Sequence, residues 1–421
     1  MPDPTPPVTP RRAALVFIFV TVLLDILALG MIFPVLPQLV VGFVGGDSAR
    51  GAEVFGLVST LWALMQFIFA PVLGALSDRY GRRRVVLISN TCMGLNYILL
   101  ALAPSLGWLI VGRVVSGITS ASISTASAYI ADVTPVDKRA ASFGMLGAAI
   151  GVGFVLGPAM GGLLGGVDPR LPFWVSAVLS LGNALYGLFV LPESLPPERR
   201  RPFEWRRANP VAALLRLRAN REVLGLATVH FLHNLAHTAL PSVFVLYVGY
   251  RFGWDARAVG LALGGSGVFT LLIQGGLVKP IVKRLGERRT LMLGLSCGIL
   301  GFATYGLADN PVVFLAVGLP VMGLWGLFSP ASQGLMTRRV PPSEQGQFQG
   351  TLSSLMGIAG MIGPGLFTQT FAAAIAPQHG VHQPGAPFLF ASMLLVLALG
   401  LSLRATRTAP EAVPAAVGPA A

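Results

Sequence analysis

Long apolar stretches alternate with short polar turns along most of this chain. A helix needs about 20 mostly apolar residues to cross a bilayer. Twelve stretches meet that length: 13–40, 53–76, 85–104, 106–131, 140–166, 171–191, 222–249, 256–280, 289–308, 311–336, 347–375 and 385–405. The pattern predicts an all-α polytopic membrane protein. The longest gap, from Pro192 to Arg221, is polar and Arg-rich and separates two sets of six. The expected organisation is a tail (1–12), a six-helix bundle (13–191), a basic linker (192–221), a second six-helix bundle (222–405) and a second tail (406–421). The first stretch is too long for the apolar core of a signal peptide and contains Asp25, so it reads as a retained span.

The two sets repeat each other. Gly117 matches Gly323, Pro135 matches Pro341, Gly144 matches Gly350, and Gly157-Pro158 matches Gly363-Pro364, all 206 residues apart. Gly81-x-Arg83-Arg84 matches Gly286-x-Arg288-Arg289 at 205. A fixed offset over this distance points to duplication. Both halves begin on the same side, so the repeat is parallel, with its axis along the membrane normal. Such an arrangement places a substrate site near the midplane between halves that rock to give alternating access.

Composition sharpens this picture. Of 421 residues, 54% are hydrophobic and 11% charged, against roughly 25% charged in soluble domains. The net charge of +13 would suit a nucleic-acid binder, but the bases sit in short turns between apolar spans. Only Arg50, Arg170, Arg251 and Arg257 fall on one side, and Arg113 lies within a span; the remaining Lys and Arg fall on the other. By the positive-inside rule both termini and the linker are expected in the cytoplasm. Cys92 and Cys297 each lie inside an apolar stretch, which fits neither a disulfide framework nor a Cys metal site. No nucleophile–base arrangement, phosphate loop or extramembrane domain is visible, so neither an enzyme nor a cofactor is expected.

Four groups of residues carry candidate mechanism. The turn between spans 2 and 3 contains Gly74, Asp78, Arg79, Gly81 and Arg82. Gly81 suits a positive-φ position. Asp78 can accept hydrogen bonds from a helix N-terminus, where an anion is favoured; the other reading of the turn is a basic anchor. Span 5 carries Gly144, Gly153, Gly157-Pro158 and Gly161-Gly162. Gly153, Gly157 and Gly161 recur every four residues and form one smooth stripe that admits a neighbouring helix. Pro158 frees a carbonyl and kinks the span.

Arg113 and Asp25 are the base and the acid deep inside spans. A charge there costs about 2.5–3.5 kcal/mol on insertion scales, so a partner or a watery cavity is expected. Asp25 lies about 18 Å of helical rise from the cytoplasmic end, near the midplane. A carboxyl group there can take up and release a proton as access alternates, can receive a cationic substrate, or can serve as a helix–helix hydrogen bond. Arg113 is a candidate for proton coupling or for a structural ion pair.

In span 7, His230, His233 and His237 share one helical face. A proton relay, cavity lining, simple polar packing and, least of all, a metal site are the readings there; no acid or Cys completes a ligand set. Gln66, Asn96, Gln274 and Gln333 are uncharged polar groups in spans that could orient a ligand or pair between helices.

These motifs resemble a known family. The Asp78–Arg84 turn resembles the signature loop of the major facilitator superfamily, and the span 5 pattern resembles the antiporter motif of its drug exporters. In that superfamily the partner of the signature Asp is the start of span 11, here near Ser343 and Glu344. The match is closer to the tetracycline-efflux proteins. It runs through Leu24-Asp25, Gly30, Pro34 and Pro37, through Ala128–Asp132, Arg251–Asp255, Gly286-Glu287 and Pro330–Gly334, and through Gln345–Gly350 and Ile362–Thr368.

The resemblance implies a twelve-helix drug:proton antiporter of the bacterial inner membrane; a monomer without cofactor or metal is expected. In that family the span 4 Arg is associated with proton coupling, which adds to the reading of Asp25 as a proton site; Asn96, His233, His237, Gln274 and Gln333 remain the candidate lining of a substrate cavity. Three positions depart from the family: Asn96 stands where it has Asp, Thr270 where it has His, and Gly298 near where it has Asp. Export by proton exchange is the leading expectation, and nutrient symport on the same fold is the alternative.

Overall fold

The computed structural model describes residues 12–120, 122–135, 138–200, 202, 221–338, 340, 345–376 and 382–405. Among them, eleven helical stretches are long and apolar enough to span a membrane. They are α1 (Val16–Phe43), α2 (Ser48–Tyr80), α3 (Arg82–Leu102), α4 (Leu106–Val133), α5 (Ala141–Gly165), α6 (Leu171–Val190), α7 (Leu224–Phe252), the long stretch Ala256–Leu307, then α10 (Pro311–Thr337), α11 (Phe348–Ile375) and α12 (Ala386–Ala405).

The long stretch has 52 residues, which at 1.5 Å per residue is far too long for one crossing. Gly286 divides it, at φ 74° and ψ 165°, a conformation that is not helical. Residues 256–285 are α8 and residues 287–307 are α9, which restores twelve crossings. Gly81, at φ 100° and ψ 149°, makes the same reversal between α2 and α3. The repeat seen in the sequence is therefore a repeat of backbone geometry.

Spans take helical form because lipid offers no partner for backbone N–H and C=O groups. Proline interrupts several of them. At Pro34 the first span turns, with Phe33 N–H donating to the Gly30 carbonyl at 3.2 Å, and it resumes at Leu36. The fourth span breaks after Thr119 and the seventh at Thr238. Single π-turns interrupt α8 at Ile273–Leu277 and α10 at Phe314–Gly318.

One large core runs through both halves. In the first, α1 lies against α5 and α6, and the Ser176 hydroxyl donates to the Ala28 carbonyl at 3.0 Å. In the second, Tyr247, Tyr305, Phe314 and Phe388 form a ring cluster among α7, α9, α10 and α12. Both cysteines are free. The halves meet along two main seams, α2 with α11 and α5 with α8.

Candidate functional site

Small residues set the height at which the seams touch. Gly162 of α5 faces Gly260 of α8, backbone against backbone, and Gly264 faces Ala159. Gly56 of α2 lies against Thr368 of α11, and the Gly365 N–H donates to the Thr60 hydroxyl at 3.1 Å. These contacts all lie toward the end of the bundle away from Gly81 and Gly286. At the end that carries those two glycines the seams part. A Cβ at Gly74, Gly144, Gly147, Gly275, Gly276 or Gly350 would meet no described atom within 4 Å. The molecule is closed at one end and splayed at the other.

The glycine stripe on α5 has two uses. Gly153, Gly157 and Gly161 lie against the α1 backbone at Leu23, Leu27, Gly30 and Met31, while Gly162 turns to α8. The carbonyl of Pro158, inside the α5 helix, approaches Gly260. A Cβ at Gly161 would overlap the Met31 carbonyl and Cα. Gly144, at the open end, touches no described neighbour.

Beside the closed seams lies a cavity of about 190 Å³ between the halves. From the first half, Phe33, Phe55, Ser59, Trp62 and Arg113 reach it; from the second, Thr238, Ser242 and Pro364 do. Arg113 is the charged side chain of its lining. It is buried, at 8% exposure, and its guanidinium carbon lies 4.9 Å from the centre of the Trp62 ring. Its Nε has no hydrogen-bond partner, nor has the buried Ser242 hydroxyl on the opposite wall.

Asp25 sits one helical turn before the cavity residue Leu29, in the interior of the first half. Its Oδ1 accepts a hydrogen bond from the Asn183 side-chain amide of α6 at 3.3 Å. The same Asn183 accepts from the Thr21 hydroxyl at 3.1 Å. Tyr97 of α3, fully buried, lies in the electrostatic field of both Asp25 and Arg113. Asn183, Tyr97, Trp62 and Ser242 were not singled out in the sequence. Asn183 carried a signal, as a side-chain amide inside a span.

None of the five residues expected to line a substrate cavity reaches this one. Asn96 is buried at the α3–α4 contact, its amide against Gly112. His233 is buried against α10, its ring 3.8 Å from that of Phe328 and 4.7 Å from that of Trp325. His237 is accessible although protein surrounds it, with its ring 5.4 Å from Trp325. Gln274 lies beside Gly326 and is exposed, as is Gln333. Gln66 donates to the Ser120 hydroxyl at 3.0 Å, a pairing between α2 and α4. Among the described residues no three His, Cys, Asp or Glu side chains converge.

At the splayed end, Arg82 binds Asp78, one helical turn before it, and reaches Asp132 at the end of α4 at 3.2 Å. Its backbone N–H donates to Glu193 at 2.8 Å. Arg79 lies over the Tyr80 ring and is exposed. The expected partner of Asp78, near Ser343 and Glu344, lies outside the described residues, as do the Arg-rich part of the linker and both tails.

In the second half the equivalent pair is Glu287 with Arg338, at 2.9 Å. Its polarity is reversed. Lys283 likewise stands where the first half has Asp78.

Comparison with known proteins agrees with this architecture. The chain matches the sequence profile of the Major Facilitator Superfamily over residues 18–364 and 226–418. The class C tetracycline resistance protein of Escherichia coli is 38% identical over 400 residues, covering 94% of this chain and 99% of that protein. The class G protein of Vibrio anguillarum is 36% identical over 382 residues, covering 88% and 93%. Among solved structures, a nucleoside transporter superposes with a TM-score of 0.77 over 94% of this chain and all of that one. At 14% identity it speaks for the fold alone. The chain belongs to the major facilitator superfamily and, within it, to the family of the tetracycline resistance proteins.

Proposed function

We propose that this protein exports small amphipathic drugs, tetracycline-like or of several kinds, across the bacterial inner membrane in exchange for protons. The observation that carries this reading is the inter-half cavity. It lies beside the small-residue seams that close one end of the bundle and has Arg113 in its wall. The splayed end bears most of the bases and is the cytoplasmic one, so the termini and the 192–221 linker are cytoplasmic too. The six-helix bundles 13–191 and 222–405 act as the rocking units of a monomer. Its work is transport and not chemistry.

In this reading Asp25 is the proton site and Arg113 its electrostatic counterpart, both acting on the buried Tyr97. Asp78, Arg79 and Arg82, with Gly74 and Gly81, form the cytoplasmic gate. The drive suffices. At roughly 2.3 kcal/mol per charge per 100 mV, one proton crossing about 150 mV supplies about 3.5 kcal/mol. That sustains a gradient of about a few hundredfold for a neutral solute.

The test uses purified protein in acid-loaded vesicles. Addition of tetracycline, or of a drug from a panel, is expected to release protons, and Asp25→Asn is expected to abolish the release. Proton movement in the same direction as the solute would instead establish symport. Full proton exchange in Asp25→Asn would remove Asp25 from the mechanism.

A further inference from the structure

A side-chain amide buried in an apolar span costs free energy unless its donors and acceptor are met. Asn183 of α6 is 1% exposed and turns them toward two residues of α1. Thr21 and Asp25 are four residues apart and so share one face of that helix. The buried Thr21 hydroxyl donates to the Asn183 carbonyl at 3.1 Å. That bond orients the amide. Its NH2 group is left to the Asp25 carboxyl at 3.3 Å and the Thr21 carbonyl at 3.4 Å. Against an ionised Asp25 the reversed amide would set oxygen on oxygen.

Resting on the export reading, we propose that Asn183, oriented by Thr21, is a positioning residue of the proton site. It sets how readily Asp25 gives up its proton, and so the pH range in which exchange runs. A hydrogen bond donated to a carboxylate favours the charged form, and such a charge-assisted bond is stronger than one between neutral groups. Asn183 therefore eases proton release at a depth where apolar surroundings oppose it. The amide also serves the other state. Once water delivers a proton and an O–H forms on Asp25, the amide can turn over, accept from that O–H and donate to the Thr21 hydroxyl. A Lys or Arg in its place would hold the carboxylate ionised, and a Leu would offer no partner to either form. Thr21, Asp25 and Asn183 all belong to the first half, so the contact travels with that half as it rocks. Access to water, and not a change of partner, then decides when the proton moves.

The titratable groups on the elements around α1 have places of their own. Helix α5 carries none between residues 141 and 165. On α6, Tyr186 packs on Phe17, two turns from Asp25, with ring centres 5.0 Å apart. At the end of α4, Tyr129 donates to the Pro192 carbonyl at 3.1 Å and Asp132 is bound by Arg82. Tyr97 of α3 shares the electrostatic field of Asp25 and of Arg113.

The test reads the Asp25 carboxyl directly. Infrared difference spectra of full-length protein in vesicles, stepped in pH, should contain a carboxyl band that Asp25→Asn removes. Its midpoint is expected to rise by about one pH unit in Asn183→Leu and by about half a unit in Thr21→Val, the differential worth of a charged over a neutral hydrogen bond. In Asn183→Asp two carboxyls face each other, and their titration should split into two steps at least about two units apart. Thr21→Val and Asn183→Asp preserve side-chain size and carry the test if Asn183→Leu does not fold. Tetracycline-driven proton exchange is measured on the same vesicles, and its pH profile should move upward with the band. Unmoved midpoints in Asn183→Leu and Thr21→Val, a single unsplit step in Asn183→Asp, or an exchange rate lowered by one factor at every pH would overturn the proposal. Band shifts without drug-driven exchange in the unmodified protein would sink the export reading alone. Exchange with unmoved midpoints would sink the inference alone.

Discussion

Single residues at reversals and buried polar contacts carry large effects here. Gly81 and Gly286 share a backbone region that is open essentially to glycine. Gly286→Ala would meet only that strain, since no described atom lies within 4 Å of the new Cβ, and is expected to cost about 1–3 kcal/mol. Gly81→Ala would meet the strain and also the Glu193 carboxyl and Arg200 guanidinium, and should cost more. Thermal unfolding in detergent would rank the two; an equal or reversed order would show that the Glu193 contact yields freely. Asn183 is bonded to Thr21 and Asp25 in the first-half interior. Asn183→Leu should lose about 1–3 kcal/mol by leaving those groups short of a partner. A neutral result would mean that Asp25 and Thr21 find another.

Between elements, the informative contrast is within α5. Gly161→Ala drives a Cβ into the α1 backbone and Gly162→Ala into α8, while Gly144→Ala enters open space. Backbone cannot yield as a flexible side chain can, so the first two should each cost about 1–3 kcal/mol. Gly144→Ala should be neutral or slightly stabilising through helix propensity. Gly162→Ala has a further consequence, because it separates halves and not helices of one half. It should slow transport more than it lowers the melting temperature, as read by initial rates beside unfolding. Equal effects on both would mean that the α5–α8 seam only holds the fold.

The reversed ion pairs also act between elements. Arg82 with Asp132 ties α3 to α4, and Glu287 with Arg338 ties α9 to α10 by the opposite polarity. Each polarity serves the same mechanical end. The pair Arg82→Asp and Asp132→Arg, made together, should therefore recover part of the stability that either change alone loses, the remainder going with the Arg82–Asp78 pair.

For the whole molecule, the described conformation predicts unequal access at its two ends. With Cys92 and Cys297 replaced by Ala, Gly144→Cys and Gly350→Cys should react quickly with a water-soluble maleimide in the absence of substrate. Thr60→Cys, in the closed α2–α11 seam, should react slowly. A trapped outward-facing state should reverse the order. Similar rates at both ends, in both states, would contradict rocking about the described seams.

Much of the architecture could be read from the chain because lipid imposes few choices. A span must be helical, apolar and of bilayer length, so the pattern alone yields twelve crossings, the duplication and Gly81 and Gly286 as matched turns. The stripe Gly153, Gly157 and Gly161 was likewise legible as a surface that admits a helix. Which helix it admits was not, because periodicity shows a face and not its neighbour. Packing assigned that face to α1 and gave Gly162 to α8. Packing also turned Asn96 and His233 into helix contacts, joined Asp25 to Asn183, and set Arg113 opposite Ser242 from the other half. Those relations join residues brought together by helix packing, within each half for Asp25 and Asn183 and between the halves for Gly162 and α8, and spacing along the chain does not encode them.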